Sequence, residues 1–150
     1  MSANANQATK PCPKPWPRIS TSIFYDDAAK AIDWLCEAFG FKRHLVVPAE
    51  DGGVAHAQLV RDGTMVMLAS ARDDEFGALC ALAKDAGGST QSTYFVVDAV
   101  DEHYRQAVAA GAEIVIDIRD EDYGGRGYSA KDPEGNLWNF GSYDPWADPA

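Results

Sequence analysis

Apolar residues recur along this chain with two periods, and the switches between them mark out its elements. Residues 19–24 alternate as a strand does, with Ile19 and Ile23 on one side and Ser20 and Ser22 on the other. Asp26 or Asp27 then offers a carboxylate to cap a helix. Ala28, Ile32, Leu35, Cys36 and Phe39 follow at helical spacing, against Lys30, Asp33 and Glu37, until Gly40 stops the run. Three strands are expected over 41–47, 54–61 and 64–70, joined by Gly52-Gly53 and Asp62-Gly63. Residues 71–91 connect this unit to the next, with a short helix expected over 75–84 and closed by Gly87-Gly88.

The pattern then restarts. A strand is expected over 92–97, and Asp98 is expected to cap a helix with the stripe Val100, Tyr104, Ala107 and Val108, ended by Gly111. Three more strands follow over 113–118, 126–131 and 137–141, the last two joined by the turn Asp132-Pro133-Glu134-Gly135-Asn136. Asp98 lies 72 residues beyond Asp26, and Gly135 lies 72 beyond Gly63. Tyr104, Ala107 and Val108 lie 72 beyond Ile32, Leu35 and Cys36. Cap, helix face and final turn thus recur in order, which makes the chain two copies of one βαβββ unit. The expected fold class is α+β. The modules span 18–70 and 92–143 of a single domain over 18–143. A proline-rich arm (1–17) precedes it, exchanged or disordered, with Trp16 as its one large apolar side chain; a polar tail (144–150) follows.

Charge and cysteine content narrow the functional classes. The formal net charge of the 150 residues is −10, and such a body repels phosphate backbones, so a nucleic-acid partner is not expected. No apolar run reaches the ~18 residues that span a membrane, and the first residues do not read as a secretory signal. Cys12, Cys36 and Cys80 are odd in number and not at metal-ligand spacing, which fits reduced thiols in the cytoplasm. Neither Cys36 nor Cys80 has the adjacent base that a catalytic thiolate needs.

The first helix, Ala-Ile-Asp-Trp-Leu-Cys-Glu-Ala-Phe-Gly-Phe, resembles that of the vicinal oxygen chelate superfamily. So does the later run Tyr123-Gly124-Gly125-Arg126 with Asp132-Pro133-Glu134-Gly135-Asn136-Leu137-Trp138-Asn139-Phe140. The group includes glyoxalase I, extradiol dioxygenases and bleomycin-resistance proteins, and the final run is most similar to the bleomycin-resistance and glyoxalase-like branch. The resemblance implies curved mixed sheets that form a cup, a homodimer with grooves between subunits, and often an exchanged N-terminal arm. It also implies four metal-ligand positions in the enzymes, which fall here on Ser20, Met67, Ser92 and Asn139. Divalent ions in such enzymes are held by imidazole or carboxylate. Two hydroxyls, a thioether and a neutral amide supply no charge to offset the ion's desolvation. Neither a metal nor another cofactor is therefore expected.

The strand faces supply the remaining candidates. Ser20, Ser22, Phe24, Met65, Met67, Ser92, Tyr94 and Asn139 share faces that would line a part-polar, part-aromatic cup, unless Phe24 and Met65 pack the core instead. His56 and Gln58 face the same way by strand alternation. Arg126 either clamps an anionic group or pairs with Asp120 or Asp122. Trp138 is expected to point away from the cup onto a helix, and His103 to be exposed on the polar side of the second helix. The resulting expectation is a metal-free protein that binds a small amphipathic or cationic molecule through Ser20, Phe24, His56, Gln58, Met67, Ser92, Tyr94, Arg126 and Asn139. The alternatives are a glyoxalase-like lyase or isomerase, using a metal or Arg126 and His56, and a dimeric scaffold whose cup is closed by side chains. No catalytic residue is assigned.

Overall fold

The computed structural model describes residues 17–147. Trp16, Cys12 and nearly all of the expected arm lie outside them, as do the last three residues of the tail. The described chain runs β1 (Thr21–Tyr25), α1 (Ala28–Phe39), β2 (Lys42–Pro48), β3 (Val54–Arg61) and β4 (Thr64–Ser70). A 3₁₀ turn (Gly77–Leu79) and the short α2 (Ala83–Ala86) follow. The second half runs β5 (Thr93–Val96), α3 (Val100–Ala109), β6 (Glu113–Asp120), β7 (Arg126–Lys131) and β8 (Leu137–Gly141).

The four strands of each half form their own mixed sheet, in the orders β1-β4-β3-β2 and β5-β8-β7-β6. The first strand of each unit pairs parallel to the last, and the other pairs are antiparallel. This is an α+β fold of two βαβββ modules, as the repeat predicts. The turn residues set the boundaries: Asp27 Oδ1 accepts from the Lys30 N–H at 3.1 Å to start α1, and Gly40 takes φ 78° to end it.

Three local expectations are corrected. Asp98 does not cap α3; the N-cap is Ala99, with no side-chain bond to the helix. The connector does not form one helix over 75–84, because the turn at Gly77–Leu79 ends in extended backbone at Cys80 before α2 begins. The buried stripe of α3 is Val100, His103 and Ala107, with Tyr104 packed beside it; Val108 is exposed and His103 is only 3 % exposed. The apolar stripe read from sequence left out a histidine that fills a core position.

The core lies where the helix-facing sides of the sheets meet α1 and α3. Phe39 at the end of α1 packs against Trp34, Phe140, Trp138 and His103, with ring centroids 4.9, 4.6, 5.5 and 5.9 Å away. Trp138 thus packs against a helix, as strand alternation predicts. Polar contacts lock the two helices together: Trp34 Nε1 donates to the Ala110 carbonyl at 2.9 Å, and Gln106 Nε2 to the Glu37 carbonyl at 2.7 Å. The turn between β7 and β8 fastens the second module onto the first. Buried Asp132 accepts from Tyr25 O–H at 2.6 Å and Trp138 Nε1 at 3.1 Å, while Glu134 accepts from the Asp26 and Asp27 N–H groups at 2.6 and 3.0 Å.

Candidate functional site

The open face of each sheet points away from the helices, and the strand registers arrange its residues in matching rows. In the first module Ser22 lies beside Met67, Met67 beside Gln58 and Gln58 beside Leu45. In the second, Tyr94 lies beside Asn139, Asn139 beside Ser129 and Ser129 beside Ile116. These rows exist because Tyr25, Leu68, Ala57 and Leu59 of one sheet, and Phe95, Phe140, Tyr128 and Ala130 of the other, turn into the core. Their neighbours must then turn out.

The rows place the sequence-derived candidates as follows. Ser20 and Ser92 stand just ahead of β1 and β5, so Ser22 and Tyr94 are the residues opposite Met67 and Asn139. His56 and Gln58 share the first open face, and their side chains meet, Nε2 to Nε2, at 3.0 Å. In this contact the Gln58 amide nitrogen is the donor and His56 Nε2 the acceptor. Phe24 lies at the rim, edge-on to Phe76 at 5.8 Å, with the Arg72 guanidinium 5.3 Å from its ring centre. Phe24, Ser22 and Ser92 border a groove of about 350 Å³ between the connector and the first strands of the two modules.

Tyr94 and Asn139 line a hollow of about 320 Å³ on the second sheet, together with Ile116, Arg119, Glu121, Tyr123, Ser129 and Tyr143. Its floor is polar and fixed. Ser129 Oγ donates to Asn139 Oδ1 at 2.7 Å, and Asn139 Nδ2 donates to the Thr93 carbonyl at 3.2 Å. Tyr94 O–H donates to the Tyr143 carbonyl at 2.7 Å, and partial burial followed by the nearby Tyr123 raises its pKa, so it remains a neutral donor. Tyr143 and Ser129 escaped the reading of the sequence, and Tyr123 entered it only within the run that carries the family resemblance. Tyr143 follows the last strand, where alternation no longer predicts direction. Ser129 was legible as the row-mate of Asn139 once register was known.

Arg126 borders this hollow, but its guanidinium is engaged elsewhere. Nε donates to Asp101 at 3.1 Å, and a terminal nitrogen donates to Asp120 at 3.3 Å. Of the two roles open to it from sequence, the structure shows the pairing with Asp120 and adds Asp101 on α3.

A further cleft, of about 670 Å³, lies away from both open faces, between the start of α1 and the β7–β8 turn. Its carboxylates serve the fold: Asp27 caps α1, Asp132 and Glu134 tie the modules together, and Asp26 pairs with Lys84 at 2.7 Å.

A divalent ion does not suit the donors at the four row positions where the family's metal ligands are expected; His56 stands apart from them, paired with Gln58. Whether the serines are Ser20 and Ser92 or the row includes Ser22 and Tyr94, the set is hydroxyl, thioether and amide without imidazole or carboxylate. Among the described residues no three His, Cys, Asp or Glu side chains are grouped to hold a metal. No helix of the described residues is long and apolar enough to cross a membrane.

Comparison with known proteins gives a consistent set of relatives. Residues 19–140 match the family model described as the Glyoxalase/Bleomycin resistance protein/Dioxygenase superfamily. An uncharacterized protein of Mycobacterium bovis is 33 % identical over 125 residues, which cover 83 % of this chain and 82 % of that protein. The crystal structure of TioX from Micromonospora sp. ML1 is 34 % identical, with a TM-score of 0.67 over 83 % of this chain and 97 % of that one. FosX from Listeria monocytogenes, a fosfomycin resistance protein solved with Mn(II) and sulfate, is 12 % identical, with a TM-score of 0.62 over 85 % of this chain and 90 % of that one. At that identity the likeness is one of fold.

Proposed function

From the premise that this chain belongs to the glyoxalase/bleomycin resistance/dioxygenase superfamily, we propose that it is a metal-free binding protein for a small amphipathic or cationic molecule. The observation that carries the reading is the chemistry of the two open faces. Ser22, Met67, Gln58 and His56 on one, and Tyr94, Asn139 and Ser129 on the other, offer hydrogen bonds, a thioether and an aromatic ring. Such a surface holds a ligand without polarising a carbonyl. A lyase or isomerase of this family working without a metal would need another electrophile. Arg126 is held by two carboxylates, and the His56 ring is engaged by Gln58.

The ligand residues of this reading are Ser20, Phe24, His56, Gln58, Met67, Ser92, Tyr94 and Asn139, while Arg126 borders the second hollow with its guanidinium committed to Asp101 and Asp120. The net charge of −10 supports a cationic group on the ligand. The reading is of a cytoplasmic homodimer. Exposed Leu45, Val46 and Val47 on edge strand β2, and Val115 and Ile116 on edge strand β6, supply apolar surface that a second copy would cover. The exposed thiol of Cys80 fits a reducing compartment.

A thermal-shift screen of chelator-treated protein against cationic and neutral amphipathic compounds tests this reading. Stabilisation by members of the library, unchanged when chelator is present, is the expected result. Stabilisation only by manganese, nickel, zinc or iron(II), with no compound effective alone, contradicts it.

A further inference from the structure

The hollow on the second sheet has a shape that its residue types alone do not reveal. Gly127 and Gly141 face each other on β7 and β8. A side chain at either would force a shift: a Cβ on Gly127 would stand 2.7 Å from the Phe140 carbonyl oxygen, and one on Gly141 would stand 2.8 Å from the Tyr94 hydroxyl and push that ring aside. The glycine pair therefore leaves bare backbone beside the row of Tyr94, Asn139 and Ser129, and the Tyr94 ring lies down over Gly141. The hydroxyl bond to the Tyr143 carbonyl pins the ring in that orientation. Tyr94 is still 42 % exposed, so part of the pinned ring is open to a ligand.

The sides of the hollow are also aromatic. Tyr143 and Tyr123 stand edge-to-face with ring centroids 5.3 Å apart, and both are exposed. Gly124 and Gly125 carry Tyr123 on a turn with φ of 114° and 74°. The Gly125 position could hold no side chain in any case, since its Cβ would lie 2.7 Å from the Tyr143 nitrogen. At one end the Ser129–Asn139 pair keeps unused acceptor and donor capacity, because Asn139 has a second N–H and Ser129 free lone pairs. At the other end Arg119 and Glu121 neutralise each other at 3.1 Å. The result is a shallow slot with a fixed aromatic surface, two aromatic walls and a neutral hydrogen-bonding end.

We infer that this slot binds a planar heteroaromatic ring system, laid against Tyr94 and flanked by Tyr123 and Tyr143, with a ring heteroatom or exocyclic polar group at Ser129 and Asn139. Aromatic surfaces of this kind favour offset stacking or edge contacts with flat partners. A volume of about 320 Å³ suits a fused-ring group rather than the whole of a large ligand. The inference rests on the small-molecule reading above and narrows it to a ligand class, and it gives Tyr123, Ser129 and Tyr143 roles in recognition.

The test is a fluorescence titration with proflavine, a planar tricyclic cation, beside a calorimetric titration with dodecyltrimethylammonium, an aliphatic cation of the same charge. The proteins are the wild type, Tyr94→Ala, Tyr94→Phe and Tyr123→Ala, each checked by circular dichroism for an unchanged fold. Saturable proflavine binding is expected, at least tenfold tighter than binding of the aliphatic cation. It should weaken at least tenfold in Tyr94→Ala and severalfold in Tyr123→Ala, and be largely kept in Tyr94→Phe, which retains the ring. Equal binding of both cations, indifferent to the tyrosine variants, overturns the planar class while leaving the small-molecule reading in place. Binding of neither cation overturns the inference, and the broader reading then stands or falls on the thermal-shift screen.

Discussion

His103 uses both ring nitrogens inside the core. Nε2 donates to the Phe39 carbonyl at 3.1 Å, so Nδ1 must accept, and it lies 2.6 Å from the Tyr128 hydroxyl. Burial, followed by the Arg61 charge, lowers its pKa from 6.5 to about 4. Burial likewise raises the pKa of the Tyr128 hydroxyl, which keeps its proton for this bond. Between pH 6.5 and 4 the unfolded chain binds a proton that the folded chain does not. Stability therefore rises with pH across that window, and is lost as pH falls from 6.5 toward 4. The loss amounts to roughly 3 kcal/mol at most. Urea denaturation at several pH values should show this slope in the wild type. In His103→Gln the slope should flatten, while stability at pH 7 drops. An equal slope in both proteins would remove His103 as its source.

At the scale of the element, the β7–β8 turn joins the modules by occupying the start of α1. The Glu134 carboxylate takes the Asp26 and Asp27 N–H groups, where the helix dipole favours a negative charge. Glu134→Ala is expected to cost about 1–2 kcal/mol, measured by urea denaturation at pH 7. A change below roughly 0.5 kcal/mol, the size of an ordinary surface substitution, would mean that water replaces the carboxylate without loss.

The elements themselves were largely legible in the sequence. Strands β3, β4, β7 and β8 begin and end where alternation and turn residues place them. The 72-residue offset carries through to the registers, since Ser22 beside Met67 is repeated by Tyr94 beside Asn139. What failed depended on tertiary context. His103 reads as polar by composition, yet it is buried because Tyr128 and the Phe39 carbonyl satisfy it. Asp98 has the right chemistry for a cap, but α3 begins one residue later than that role requires. The partners of Arg126 were half visible: Asp120 is near in sequence, whereas Asp101 comes from a helix whose placement no local pattern gives.

The whole molecule exposes two sheet faces whose rows repeat each other in position but not in chemistry. The first row is hydroxyl, thioether and amide; the second is phenol, amide and hydroxyl over a glycine floor. A duplicated fold has thus kept its geometry while its open faces diverged, and the charge expected of a metal site is missing from both rows. Elemental analysis of untagged protein, followed by calorimetric titration with nickel, zinc, manganese and iron(II), tests that account most directly. Substoichiometric metal as purified, and no tight binding of any of the four ions, is the result predicted. One tightly bound ion per site would contradict it and make metal-dependent lyase or dioxygenase chemistry the leading explanation of this fold.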